Sequence, residues 1–133
     1  MLITWKKYLI PILLFLLLFF ILSLGWGTNR FLFHSAANLQ NTIHQVEMLV
    51  KDYKWSDAEK MFQQAEKNWD RISRYWPLLI HHQEMDRIEE CLAKIKSYLQ
   101  HEEKSDSLAE IYLLTNYIQH IPQNEALNLQ NIF

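Results

Sequence analysis

Tyr8 to Leu24 reads YLIPILLFLLLFFILSL, and no other stretch limits the possible folds of this chain so strongly. Leu, Ile and Phe cover every side of a helix built from these 17 residues, and beyond Tyr8 at its edge Ser23 is the one polar side chain among them. A soluble helix needs a polar face, and this one has none. Trp5 and Trp26 bracket the run over 22 positions, which is about 30 Å of helix, close to the thickness of a bilayer hydrocarbon core. An indole ring, apolar with one N–H donor, suits the headgroup layer at each end. Pro11 falls near the start of the run, where a missing N–H costs least. The Ser23 hydroxyl is positioned to bond a carbonyl one turn back.

Charge gives the expected orientation. Lys6, Lys7 and the amino terminus precede the run, and only Arg30 follows closely. The positive-inside rule therefore puts the first residues in the cytoplasm. The expected organisation is a cytoplasmic N terminus over 1–7, a transmembrane helix over 8–26 and a juxtamembrane linker over 27–33. An extracytoplasmic helical domain over 34–122 and a tail over 123–133 complete it. Trp5, Lys6, Lys7 and Trp26 are the expected interface anchors. The alternative is a secreted protein: Ser23-Leu24-Gly25 places small residues where a signal peptidase reads. The apolar stretch, however, exceeds the 7–15 residues usual for a signal peptide.

Beyond residue 30 the chain holds ten Lys/Arg against fifteen Asp/Glu, a net charge of −5. That balance argues against nucleic acid, whose phosphates call for clustered positive charge. It argues equally against docking onto anionic lipid through a basic patch. The single cysteine, Cys91, excludes an internal disulfide. It is read either as a small apolar residue near a helix seam or as a thiol open to an intermolecular bridge. Glycine occurs only at Gly25 and Gly27, expected to loosen the junction, and proline only at 11, 77 and 122. With so few breakers the remainder reads as all-α.

Four amphipathic helices follow from the spacing. The first covers about His34 to Tyr53, with the apolar line Leu39, Ile43, Val46, Val50, Tyr53. The second opens on a capping box, Ser56-Asp57-Ala58-Glu59. It carries Ala58, Phe62, Ala65, Trp69, Ile72 and Trp76 at alternating steps of four and three. At Trp76–Pro77 the stripe shifts by two, which predicts a turn with Pro77 opening the third helix. That helix carries Leu78, His81, Met85, Ile88, Leu92, Ile95 and Leu99. The fourth starts near Ser105–Ser107 with a second capping box, Ser107 to Glu110. It turns Leu108, Ile111, Leu114, Ile118 and Ile121 inward and ends at Pro122. A shift of 49 lays the first helix line on the third and Ser56-Asp57 on Ser105-Asp106. Because 49 is seven heptads, only the turn match carries information about duplication. The expected fold is one transmembrane helix followed by an antiparallel helical bundle or a stack of two αα-hairpins.

Chemistry is sparse. His81 and His82, with Glu84, Asp86 and Glu89 near them, are the best candidates for a metal. Adjacent residues point about 100° apart on a helix, however, and the i, i+4 histidine pair of a zinc helix is absent. His82 with Asp86 reads as a pair on one face. Trp69 and Trp76 share a face and read as core, or alternatively as an aromatic partner groove. Trp55 sits at the turn as a hydrophobic staple toward Lys60 or Met61. No phosphate loop, nucleophile elbow or Cys-x-x-Cys occurs. The reading is a non-enzymatic module with no cofactor. Its expected partners are the lipid bilayer together with a membrane or envelope protein or a second copy of itself. A ligand-sensing subunit working through a membrane partner is the second reading.

A Trp-x-x-Ala turn (Trp55, Ala58), Trp69 one helix further on, and His82, Glu84, Met85, Asp86 and Ile88 follow the membrane run. This layout resembles a family of small membrane-anchored proteins of spore-forming bacteria, the domain of unknown function 4363 family. The resemblance implies the anchored helical architecture and a place in spore or envelope physiology. It implies no activity.

Overall fold

In the computed structural model the backbone is described for residues 2–130 and side chains for residues 8–121. Among the described residues there are four α-helices: α1 (Leu2–Lys51), α2 (Trp55–Ile72), α3 (His82–Gln100) and α4 (Lys104–Gln130). The residues fall into two units, Met1–Phe31 and Leu32–Phe133.

The first unit is the N-terminal part of α1. Its large apolar side chains from Tyr8 to Leu24 are all exposed, between 52% and 71%. Among the described residues this is the helix long and apolar enough to cross a membrane. Ser23 Oγ donates to the Phe19 and Phe20 carbonyls at 2.8 and 3.0 Å, so its polar group is satisfied within the helix. Trp26 stands exposed with the Arg30 guanidinium 5.5 Å from its ring centre. The side chains of Trp5, Lys6 and Lys7 lie outside the described residues.

The expected linker over 27–33 is corrected: those residues are helical and belong to α1. Gly25 and Gly27 do not interrupt the helix, and a Cβ at either would meet nothing within 4 Å. Two isolated glycines weaken a helix by about 1 kcal/mol each, which does not stop one whose neighbours are Leu, Trp and Phe.

The second unit is built from α1 after Leu32, then α2, α3 and α4. Its core is Leu39, Ile43, Val46 and Val50 of α1, then Ala58, Phe62, Ala65, Trp69 and Ile72 of α2. Met85, Ile88, Leu92, Ile95 and Leu99 come from α3, and Ile111, Leu114, Ile118 and Ile121 from α4. These are the seams that the seven-residue spacing marks, except that Tyr53, expected on the α1 line, is exposed; each helix buries one stripe and turns most of its charges outward, the partly buried Glu110 being an exception. The helices alternate in direction. At one end Lys104 Nζ, opening α4, donates to the Lys51 carbonyl that closes α1, at 2.8 Å. At the other end Trp76, just past α2, reaches Ser35 near the start of the unit. Midway, Lys96 of α3 pairs with Glu66 of α2 at 3.0 Å.

Two of the connections are the same turn. After α1 the Lys54 N–H donates to the Leu49 carbonyl at 2.9 Å and the Tyr53 N–H to the Val50 carbonyl at 3.1 Å. After α3 the Glu103 N–H donates to Tyr98 at 2.9 Å and the Glu102 N–H to Leu99 at 3.2 Å. Both are Schellman closures, with Tyr53 (φ 59°) and Glu102 (φ 55°) in the left-handed region. Every residue of one turn lies 49 positions from its counterpart. The helix ends Lys51 and Gln100 and the starts Trp55 and Lys104 obey the same offset. So do the buried pairs Phe62/Ile111, Ala65/Leu114, Trp69/Ile118 and Ile72/Ile121. Heptads alone align stripes at this offset, but they do not dictate left-handed residues and matching turn bonds. The second unit is therefore two equivalent αα-hairpins, α1–α2 and α3–α4.

The same turns correct both capping boxes. Lys54 holds the N-cap position of α2, with no side-chain bond, and Ser107 lies inside α4, its Oγ without a hydrogen-bond partner. A Schellman closure leads straight into the next helix, so that helix begins before the serine arrives. Pro77 likewise does not open α3. It lies in a short 3-10 helix, Trp76–Leu78, and α3 begins at His82 behind the extended His81 (φ −70°, ψ 141°). Leu78 and His81, expected on the inner line, are exposed. Pro122 does not end α4, whose backbone stays helical to Gln130. Proline's fixed φ is compatible with a helix and removes one hydrogen bond, and buried Ile118 and Ile121 hold the preceding turn. Of the expected tail, 123–130 is thus helical, and 131–133 lie outside the described residues.

Candidate functional site

The three tryptophans of the second unit do different things. Trp76 is fully buried, and its indole N–H donates to Ser35 Oγ at 3.0 Å. Ser35 Oγ in turn donates to the Leu32 carbonyl at 3.1 Å. A buried indole N–H left unbonded costs about 1–3 kcal/mol, so this contact fixes where the chain after α2 meets α1. Trp69 packs edge-to-face on Trp76, with ring centres 5.4 Å apart and planes at 87°. Trp55 is half-buried at the first residue of α2 and packs against the core. Trp69 and Trp76 are core residues, as their spacing indicates.

Trp69 also has a second surface. Between α2 and α3 runs an open groove of about 650 Å³, with Trp69 and Leu92 in its lining and Glu66, Lys67, Asp70, Glu89 and Lys96 around them. Lys96 Nζ holds both Glu66 carboxylate oxygens, at 3.0 and 3.3 Å. This pair bridges the groove. On its far side, toward the turns, lies a smaller cavity of about 40 Å³ beside Phe62 and Leu99. The groove is therefore an apolar floor rimmed by both signs of charge and crossed by one ion pair.

The histidine region gathers no comparable site. His81 and His82 are exposed at the N-terminal end of α3, Glu84 is partly buried in its first turn, and Asp86 is exposed. Among the described residues no group of three or more His, Cys, Asp or Glu side chains is arranged to hold a metal ion.

A polar cluster on the α3–α4 side went unmarked by motif. Cys91 is buried, and burial beside the Glu110 carboxylate pushes its thiol up to about 11. Lys94 Nζ holds Glu90 at 2.7 Å and lies 3.7 Å from Glu110 Oε1. The hydrogen bond between them lowers the Glu90 pKa and raises that of Lys94. Glu110 Oε2 is buried and has no hydrogen-bond partner. The Glu90–Lys94 spacing of four was the readable part of this cluster; Glu110 joins it only through tertiary packing. A thiol with this pKa is neutral near pH 7 and a poor nucleophile.

A family model described as "Domain of unknown function (DUF4363)" matches residues 26–132. The chain belongs to that family. The DUF4363 match takes in both αα-hairpins and begins at Trp26, so the apolar run of Tyr8–Leu24 lies outside it. No curated protein and no solved structure matches the chain. The α2–α3 groove lies within the DUF4363 region.

Proposed function

We propose that the chain is a membrane-anchored, non-enzymatic binding module. The apolar part of α1 crosses the bilayer, with residues 1–7 in the cytoplasm and the two hairpins outside it. The α2–α3 groove receives a segment of a membrane or envelope protein. The observation that carries this reading is the exposure of every large apolar side chain from Tyr8 to Leu24. Apolar area on that scale is stable in lipid and not in water. The groove supports the binding role by its form: an aromatic and aliphatic floor with a charged rim is how protein surfaces hold a partner helix or peptide.

Photo-crosslinking from the full chain in its native membrane tests the binding role. A benzophenone residue at Gln63 or at Ala93, on opposite walls of the groove, is expected to capture a partner protein that the same residue at Asp106 does not. Crosslinks of equal yield from all three positions, or from none, would reject the groove as the working surface.

A further inference from the structure

We propose that the turn between α2 and α3 is a second membrane contact, seated in the headgroup layer of an anionic bilayer; this rests on the membrane reading above. Leu78 is 84% exposed, more than any other large apolar side chain among the described residues, those of the apolar run included. Its exposure is built in. Trp76, two residues earlier, is locked by its bond to Ser35 and its stacking on Trp69. The Leu79 and Ile80 N–H groups then close on the Trp76 carbonyl at 2.8 and 2.9 Å, with Pro77 between. The turn is thus held in a shape that pushes Leu78 outward, flanked by exposed Tyr75.

The charge around it is local and opposite to that of the unit. From Arg71 to His82 the chain reads RISRYWPLLIHH, with exposed Arg71 and Arg74, two histidines and no carboxylate, inside a segment whose net charge is −5. Apolar and aromatic tips with arginines beside them are the composition of an interfacial anchor on anionic lipid. The opposite end of the unit, around Tyr53 and Glu102, mixes Asp52, Glu102, Glu103 and Asp106 with Lys51, Lys54 and Lys104 and suits water.

The test is depth-dependent fluorescence quenching on the full chain reconstituted in vesicles. With Cys91→Ala as background, an environment-sensitive dye is attached at Leu78→Cys, at Leu16→Cys and at Glu103→Cys in separate samples. Vesicles of phosphatidylcholine, with or without phosphatidylglycerol, carry nitroxide lipids labelled near the headgroup or deep in the chain. The expected result is loss of emission at position 78 with the shallow nitroxide, greater when phosphatidylglycerol is present. Position 16 responds to the deep nitroxide and position 103 to neither. Arg71→Ser with Arg74→Ser should remove the phosphatidylglycerol dependence at 78 and leave position 16 unchanged. If 16 is quenched but 78 behaves like 103, the turn contact is wrong and the anchor stands. If 16 is not quenched either, the anchor itself is wrong and this contact falls with it. Emission at 78 that changes with protein density and not with nitroxide lipid would assign the turn to a second copy and overturn the proposal.

Discussion

Ser107 is buried with an unbonded hydroxyl, and its counterpart 49 residues earlier is Ala58, equally buried. The first hairpin therefore shows what the second would gain. Replacing Ser107→Ala removes an unsatisfied polar group without leaving a cavity, so it should stabilise the folded chain by about 1 kcal/mol. Denaturant unfolding of the full chain in nanodiscs checks this, and a loss of stability would mean that the hydroxyl is bonded in solution. Cys91 makes a second residue-scale prediction. Its thiol pKa rises from 9.0 to about 11 on folding, chiefly through burial. A raised pKa favours the protonated form in the folded state. The associated stability is complete below pH 9 and is lost as pH rises from 9 to 11. Alkylation of the native chain at pH 8 should accordingly be slow and become fast on unfolding. Modification at the rate of a free thiol in the native chain would place Cys91 at the surface.

At the scale of elements, the helix seams were legible and the helix ends were not. Apolar steps of four and three dictate which face of each helix is buried, because a stripe that meets water destabilises the whole element. Ends depend on local backbone bonding that competes with side-chain signals. At Ser56 and Ser107 a capping-box pattern lost to a Schellman closure upstream, whose cues, Tyr53 and Glu102, are not glycine. At Pro77 the fixed position of Trp76 imposed a 3-10 turn where a helix start was expected. Those closures are themselves testable. A non-glycine residue in the left-handed region costs about 1 kcal/mol, so Glu102→Gly should stabilise the chain by roughly that amount. Tyr53→Gly should gain less, because the Tyr53 ring also receives Lys104 Nζ at 3.7 Å. Equal or negative effects in thermal melts of both variants would show that the turns are not held as described.

On the scale of the whole molecule, the sequence carries location more clearly than task. The apolar run is a one-dimensional signal and needs no tertiary information. The groove joins Trp69 on α2 to Leu92 on α3 under the Lys96–Glu66 pair, residues 23 and 30 positions apart that no spacing rule links. Doubling of the αα-hairpin was visible as a coincidence of heptads, and the paired Schellman turns make it a structural fact. The account stands or falls on whether Tyr8–Leu24 stays attached and in the membrane. Intact-protein mass spectrometry of carbonate-washed membranes from cells producing the full chain measures this directly. The expected result is the uncleaved chain in the membrane pellet. A soluble product shortened by the residues up to Leu24 or Gly25 would contradict the anchor and leave two secreted hairpins in its place.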